Sequence, residues 1–154
     1  IRSLKNQSFK NFEHIIIDGG SKDRTLQIIK KYRENVNYFI SEKDKNMWHA
    51  INKGIKLSSG EFIAFIDSDD IWLENKLALQ VPLFSDLQVG LVYADTIIFN
   101  NSGHYQLMSE QIKPVSGDNV SELALNYSIS LPGHLPRVRN RISMRLFPDP
   151  YTRN

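Results

Sequence analysis

The stretch "EFIAFIDSDD", Glu61–Asp70, decides how the rest of the chain reads. Five apolar residues, Phe62 to Ile66, are followed by three carboxylates within four positions, Asp67, Asp69 and Asp70. A continuous apolar run of this length, bounded by turn formers, predicts a strand covered on both faces. Like charges at such range repel, and each raises the pKa of its neighbour. The cluster is then either a solvated turn, with Asp69 or Asp70 near the start of the next helix, or a place where something positive binds. Two carboxylates at a spacing of two suit a hard divalent cation, Mg²⁺ or Mn²⁺, completed by water and substrate phosphate oxygens.

The flanking sequence repeats the pattern. "FEHIIIDGGSKDRT" carries an apolar run, His14 to Ile17 after Phe12, that ends at Asp18-Gly19-Gly20. It predicts a second buried strand and a turn, with Ser21 or Asp23 as N-cap of a helix bearing Leu26, Ile29 and Tyr32 on one face, joined by Ile28. "VNYFI", Val36 to Ile40, is a short strand. "NMWHAINKGIKLSSG" is a helix with Trp48, Ile51 and Ile55 on one side, stopped by Ser58, Ser59 and Gly60. Leu73 to Phe84 reads as a weaker helix limited by Pro82. "VGLVYA", Val89 to Ala94, and "TIIFN" before "NSGH" read as two more strands. Strands alternating with helices predict an α/β fold, a mostly parallel sheet with helices on both faces. Ligands of such sheets sit beyond the carboxyl ends of the strands, which is where Asp18 and Asp67 both fall.

The 154 residues suffice for one domain and a real core. A net charge of +2 gives no strong field for nucleic acid or membrane, and the absence of cysteine excludes disulfides and thiolate metal sites. No apolar run approaches the ~18 residues of a membrane span. The opening "IRSLKNQS" reads as the interior of a helix and does not begin with Met, so a fragment is expected. Residues 1–130 hold eleven Lys and three Arg, whereas residues 131–154 hold no Lys, five Arg and four of the six Pro. The expected organisation is a partial domain over 1–130 and an atypical tail over 131–154.

In order and at familiar separations, "SLKNQSF", "EHIIIDGGSKDRT", "SEKDKNMWHAINKGI" and "GEFIAFIDSDD" resemble the nucleotide-binding half of family 2 glycosyltransferases. These are inverting enzymes of the Rossmann-like GT-A nucleotide-diphospho-sugar transferase fold. The resemblance is dense over residues 3–74 and weak to about residue 100. It implies a nucleotide-sugar donor, often a UDP-sugar, a saccharide or lipid-linked saccharide acceptor, and a role in cell-surface polysaccharide synthesis. The expected location is the cytoplasm, with peripheral association at the inner membrane face through the acceptor. Carried over by position, Asp18 faces the nucleobase and accepts from its ring N–H, with Ser21 beside it. Asp44, Asn52, Lys53 and Gly54 lie along the donor pocket. Asp67 and Ser68 contact the ribose or the metal, and Asp69 binds the Mg²⁺ or Mn²⁺ directly. The metal then assists departure of the diphosphate as a Lewis acid. Asp70 is expected to act as a helix cap.

The chain departs from the family pattern at Asn46, where Gly is usual, at His49, where Asp is usual, and at Trp48, where Tyr is usual. His49 could touch the sugar, although a surface or packing role is the reading with more weight. Asp95 is a lesser candidate for the acceptor side, and His14, His104 and His134 read as structural or exposed. The family's first strand should precede Ile1, and its general base, usually an Asp, should follow "SELALNYSIS". The only acid after Glu122 is Asp149, in the poor context "FPDPY", so no catalytic residue is assigned. The tail is expected to be disordered or frame-shifted. As a hypothesis, Gly133-His134-Leu135 read one base along permits Gly-Thr-Phe, which the coding DNA would test. Two alternatives stand beside the transferase. One is a degenerate domain that binds nucleotide without transfer. The other is a haloacid-dehalogenase-like phosphohydrolase, whose Asp-x-Asp normally follows its first strand.

Overall fold

The computed structural model describes residues 1–100, 102–110, 117, 135 and 136. The tail expected over 131–154 lies outside the described residues except for 135 and 136, as do His134, Asp149 and the boundary at residue 130. The described chain divides into two compact units, one of Ile1–Ile63 with Trp72–Ala78, the other of Ala64–Ile71 with Leu79 onward.

In the first unit, α1 (Arg2–Lys5) leads to β1 (Ile15–Asp18) and α2 (Thr25–Lys31). A 3₁₀ turn at Arg33–Asn35, then β2 (Tyr38–Ser41) and α3 (Met47–Leu57) follow. Two helix-linked apolar runs must pair in parallel, because the crossover returns the chain to the same end. They do: Ile15 faces Tyr38 in the ladder, and Asp18 faces Ser41. α3 packs on β1, and a Cβ added at Gly54 would meet Ile17 Cγ1 at 3.7 Å, ordinary van der Waals contact. The core of this unit is Leu4, Ile29, Val36, Ile55, Ile63, Trp72 and Leu77. Ile15 to Ile17 are half-buried, so β1 is less covered than its apolar run predicts.

Several boundaries differ from the sequence reading. α2 buries only Ile29, while Leu26 and Ile28 stay exposed. Its N-cap is Arg24 rather than Ser21 or Asp23, because Ser21 is held by Asp18, although the Asp23 carboxylate does accept from the Thr25 amide at 2.9 Å. α3 is capped by Asn46, whose side chain accepts from the His49 amide at 3.0 Å. The expected helix over 73–84 is one short helix, α4 (Lys76–Gln80), continued as a 3₁₀ segment Val81–Ser85. Pro82 lies at the start of that segment, where its missing N–H costs nothing.

His14 is buried and structural: its ring Nδ1 meets the Asn35 carbonyl at 3.0 Å, and its amide donates to Asn37. Burial holds its pKa below the usual value, against the pull of the Asn35 carbonyl. Burial also pushes the Lys76 ammonium down to about 8, while the Trp72 ring, 4.3 Å from Nζ, favours the charged form. A lysine whose folded pKa lies below its unfolded value of 10.5 destabilises while protonated. That penalty is complete below the folded pKa and vanishes above the unfolded one, so stability rises with pH between them. Lys76→Met is expected to flatten this rise in urea denaturation from pH 7 to pH 10. A variant whose slope matches the native chain would contradict the assignment.

Phe62–Ile66 was expected as a strand, but among the described residues it makes one isolated bridge, at Phe62, and no ladder. An apolar run sets an extended backbone, and a ladder also needs a neighbour in register. β3 (Leu91–Val92) pairs antiparallel with β6 (Leu135–Pro136). β4 (Ile97–Phe99) and β5 (Tyr105–Leu107) form an antiparallel hairpin turned at Gly103, whose φ of +77 suits glycine. Asp95 accepts from the amides of Thr96 and Ser109 and from the Ser109 hydroxyl at 2.5 Å. Both its oxygens tie down the hairpin.

Candidate functional site

Both carboxyl ends of the parallel pair carry polar side chains that organise one another. Asp18 ends β1 and is only 7% exposed. Its Oδ2 accepts from the amides of Gly20 (3.1 Å) and Ser21 (3.0 Å) and from the Ser41 hydroxyl (2.6 Å). Its Oδ1 accepts from the Ser21 hydroxyl at 2.5 Å. Burial alone would raise this carboxyl, but the bonds from Ser21, Ser41 and Gly20 outweigh it and hold the pKa below the usual range. The loop after β1 is thus wrapped around a buried anion. Gly20, at φ +88, needs the left-handed conformation, and a Cβ there would meet the Lys43 amide nitrogen at 3.4 Å. Ser41 was not among the expected site residues. The signal for it was the register, because parallel pairing of "IIID" with "YFIS" sets Ser41 beside Asp18.

A second cluster follows β2. Asp44 Oδ1 receives both the Lys53 ammonium at 2.7 Å and the His49 Nδ1 at 2.6 Å. Lys53 also reaches Glu42 at 2.5 Å. His49 and Lys53 stand four apart on α3, hence on one face. Asp44, and then Glu42, hold the Lys53 ammonium above its usual pKa. The expected pocket residues Asp44 and Lys53 are therefore brought together, with Glu42 and His49 joining them unforeseen. Asn52 lies partly buried on the same helix. Gly54 lies at the contact of α3 with β1.

Asp67, Ser68, Asp69 and Asp70 belong to the second unit and form a turn closed by the Asp70 amide donating to the Asp67 carbonyl at 3.2 Å. Asp67, Ser68 and Asp69 are exposed, and Asp70 is partly buried. Burial, then the charges of Asp67 and Asp69, raise the Asp70 pKa. Asp70 does not cap the next helix, because α4 starts only at Lys76. Among the described residues, no three His, Cys, Asp or Glu side chains converge as a complete metal cage. A pair of carboxylates on an open turn still fits Mg²⁺ or Mn²⁺, which take one or two protein carboxylates and fill the remaining positions with water and phosphate oxygens. Among the described residues, no helix is long and apolar enough to cross a membrane.

Comparison with known proteins places the chain in one family. The family described as "Glycosyl transferase family 2" matches residues 1–141. An uncharacterised glycosyltransferase of Rickettsia bellii (strain RML369-C) is 32% identical over 158 aligned residues, covering 97% of this chain and 21% of that protein. The Escherichia coli UDP-Glc:alpha-D-GlcNAc-diphosphoundecaprenol beta-1,3-glucosyltransferase WfgD is 33% identical over 103 residues, covering 66% of this chain and 41% of its own length. The crystal structure of S. aureus TarS 1-349 in complex with UDP superposes with a TM-score of 0.65 at 28% identity, over 88% of this chain and 41% of that one. The chain thus spans a fifth to two fifths of these relatives, and their resemblance carries the α/β, GT-A-type fold. With a family match over most of its length, the chain is a member of glycosyl transferase family 2.

Proposed function

We propose that the chain is the donor-binding part of an inverting glycosyltransferase that moves a sugar from a nucleotide sugar, UDP-linked, to a saccharide or lipid-linked saccharide in cell-surface polysaccharide synthesis. The observation that carries this reading is the Asp18 cradle at the carboxyl end of the parallel pair. Among the described residues Asp18 Oδ1 has one protein partner, the Ser21 hydroxyl, so it can accept one further donor such as a nucleobase ring N–H. The UDP bound by TarS and the UDP-Glc named for WfgD support the nucleotide, and WfgD's diphosphoundecaprenol-linked acceptor supports peripheral work at the inner membrane face. A phosphohydrolase finds no support in the family match. In this reading Asp69 and Asp67 hold Mg²⁺ or Mn²⁺, and Ser68 lies with them. The metal, when bound, supplies Lewis-acid assistance to the leaving diphosphate. Asp44 and Lys53, with Asn52 and Gly54 on α3, line the donor pocket.

The test is calorimetry of UDP binding with and without Mn²⁺. Asp69→Asn exchanges an anionic ligand for a neutral one and is expected to weaken Mn²⁺-dependent binding by about 10-fold or more, at least the scale seen when outer-shell partners of a metal are lost. Asp70→Asn is expected to do less. Equal effects of the two substitutions would refute the metal assignment, and no UDP binding by the native chain would refute the donor reading. A degenerate domain would bind UDP in the same way, and only acceptor-dependent turnover of a UDP-sugar separates the two.

A further inference from the structure

His49 stands out because a buried carboxylate orients it while, among the described residues, its outer ring nitrogen has no hydrogen-bond partner. The Asp44 side chain is 7% exposed, and that of His49 is 44% exposed. In the short bond from His49 Nδ1 to Asp44 Oδ1, at 2.6 Å, the carboxylate accepts and Nδ1 carries the hydrogen, so in the neutral imidazole Nε2 is the acceptor. Among the described residues, Nε2 has no partner. Asp44 directs both its bonds through Oδ1, and Oδ2 is buried with no hydrogen-bond partner. An oxygen left in that condition is costly, which is unexpected for a histidine that only decorates a surface. Such a carboxylate serves instead to aim the imidazole, as outer-shell carboxylates aim histidines in binding sites. Lys53, on the same helix face, is already matched by Asp44 and Glu42, so the nitrogen that the cluster leaves for a ligand is His49 Nε2.

We infer that the Asp44–His49 pair presents His49 Nε2 as a hydrogen-bond acceptor for a hydroxyl of the nucleotide-sugar donor, on the ribose or on the transferred sugar. His49 is thus a specificity-determining residue and Asp44 its positioning residue. The inference rests on the donor-binding reading and deepens it.

The experiment measures binding of UDP, 2′,3′-dideoxy-UDP and UDP-glucose, each with Mn²⁺, to the full chain and to His49→Phe and His49→Gln. Phenylalanine keeps the ring and removes the acceptor, whereas glutamine keeps an oxygen near the Nε2 position. One lost hydrogen bond in a partly enclosed site corresponds to roughly 10-fold in affinity. His49→Phe is expected to lose about that factor selectively, with His49→Gln restoring most of it. Loss confined to UDP-glucose places the hydroxyl on the sugar. Loss for UDP and UDP-glucose, but not for the dideoxy nucleotide, places it on the ribose. Equal loss for all three ligands, or no loss for any, overturns the inference while leaving the donor reading intact. Absence of binding by the native chain overturns both. Because His49 is half-exposed, the melting temperatures of the variants should match that of the native chain, and a selective loss of affinity cannot then be ascribed to unfolding.

Discussion

Gln7→Leu is expected to destabilise the chain by about 3 kcal/mol, the largest single effect predicted for a residue outside the site. Gln7 is fully buried at 0% exposure, yet it is polar. Its amide nitrogen donates to the carbonyls of Leu73 (2.7 Å) and Ser3 (3.3 Å), and its oxygen accepts from the Leu77 amide at 3.2 Å. Leu77 is the second residue of α4, so its amide is one of the donors that a helix cannot satisfy internally. Gln7 caps α4 from a point 70 positions away in sequence. Leucine keeps the volume and abandons all three bonds, leaving a buried amide without an acceptor, at a cost of about 1–3 kcal/mol for that group alone. Gln7→Ala should cost more, since it adds a void. Urea denaturation measures both, and a loss below about 1 kcal/mol for Gln7→Leu would show that water replaces the side chain.

Gln7 also marks where sequence reading stops. In "SLKNQSF" nothing distinguishes it from Asn6 or Ser8, because its partners lie at residues 73 and 77 and periodicity carries no such information. Elements whose cause is local were legible. The apolar runs "HIII" and "YFI" gave β1 and β2, and "NMWHAINKGIKLSSG" gave α3 with its stop at Ser58, though not its Asn46 cap. Phe62–Ile66 was legible as extended chain but not as a ladder, because pairing is a property of two segments and pattern describes one. Leu26 and Ile28 were misplaced for a related reason: a helix of seven residues with Ile29 alone buried has too narrow a contact to use a full apolar stripe.

The site divides along the same line. Asp18 was legible as the end of an apolar run, whereas the donors that Gly20 and Ser21 supply within three residues are seen only in the structure. Asp44 and Lys53 were found through resemblance. Their bond, across nine positions, depends on how α3 lies after β2. The bonds that Ser41 and His49 make were not legible, because a hydroxyl or imidazole at the surface is ordinary until a carboxylate is seen holding it. Asp70 was misassigned because the cap reading assumed a helix beginning at once, whereas five residues separate it from α4.

Asp18→Ala is expected to cost about 3 kcal/mol as well, and its pH dependence separates the carboxylate from mere packing. The substitution strips the acceptor from two amides and two hydroxyls at the end of β1. Gly20 and Ser21 can recover water because their loop is partly open, which keeps the cost below the sum of the separate bonds. The folded-state pKa of Asp18 is depressed, so its contribution is complete above the ordinary value of 3.8 and is lost as pH falls through the lower folded value. The native chain should therefore lose stability in that acid window, and Asp18→Asn should lose less there while being weaker than the native chain at neutral pH. Binding adds a second criterion. Asparagine offers an oxygen that can accept from the loop amides and Ser41 in the Oδ2 place, and an NH₂ that can donate to the Ser21 hydroxyl oxygen, but it presents a donor where Oδ1 accepts. Asp18→Ala, whose loop has no centre, should lose affinity for UDP and for free diphosphate alike. Asp18→Asn, with its loop largely kept, should lose more for UDP than for diphosphate if Oδ1 meets the nucleobase. Unaltered acid stability in Asp18→Asn, together with equal losses for the two ligands, would reduce Asp18 to a packing residue of the turn.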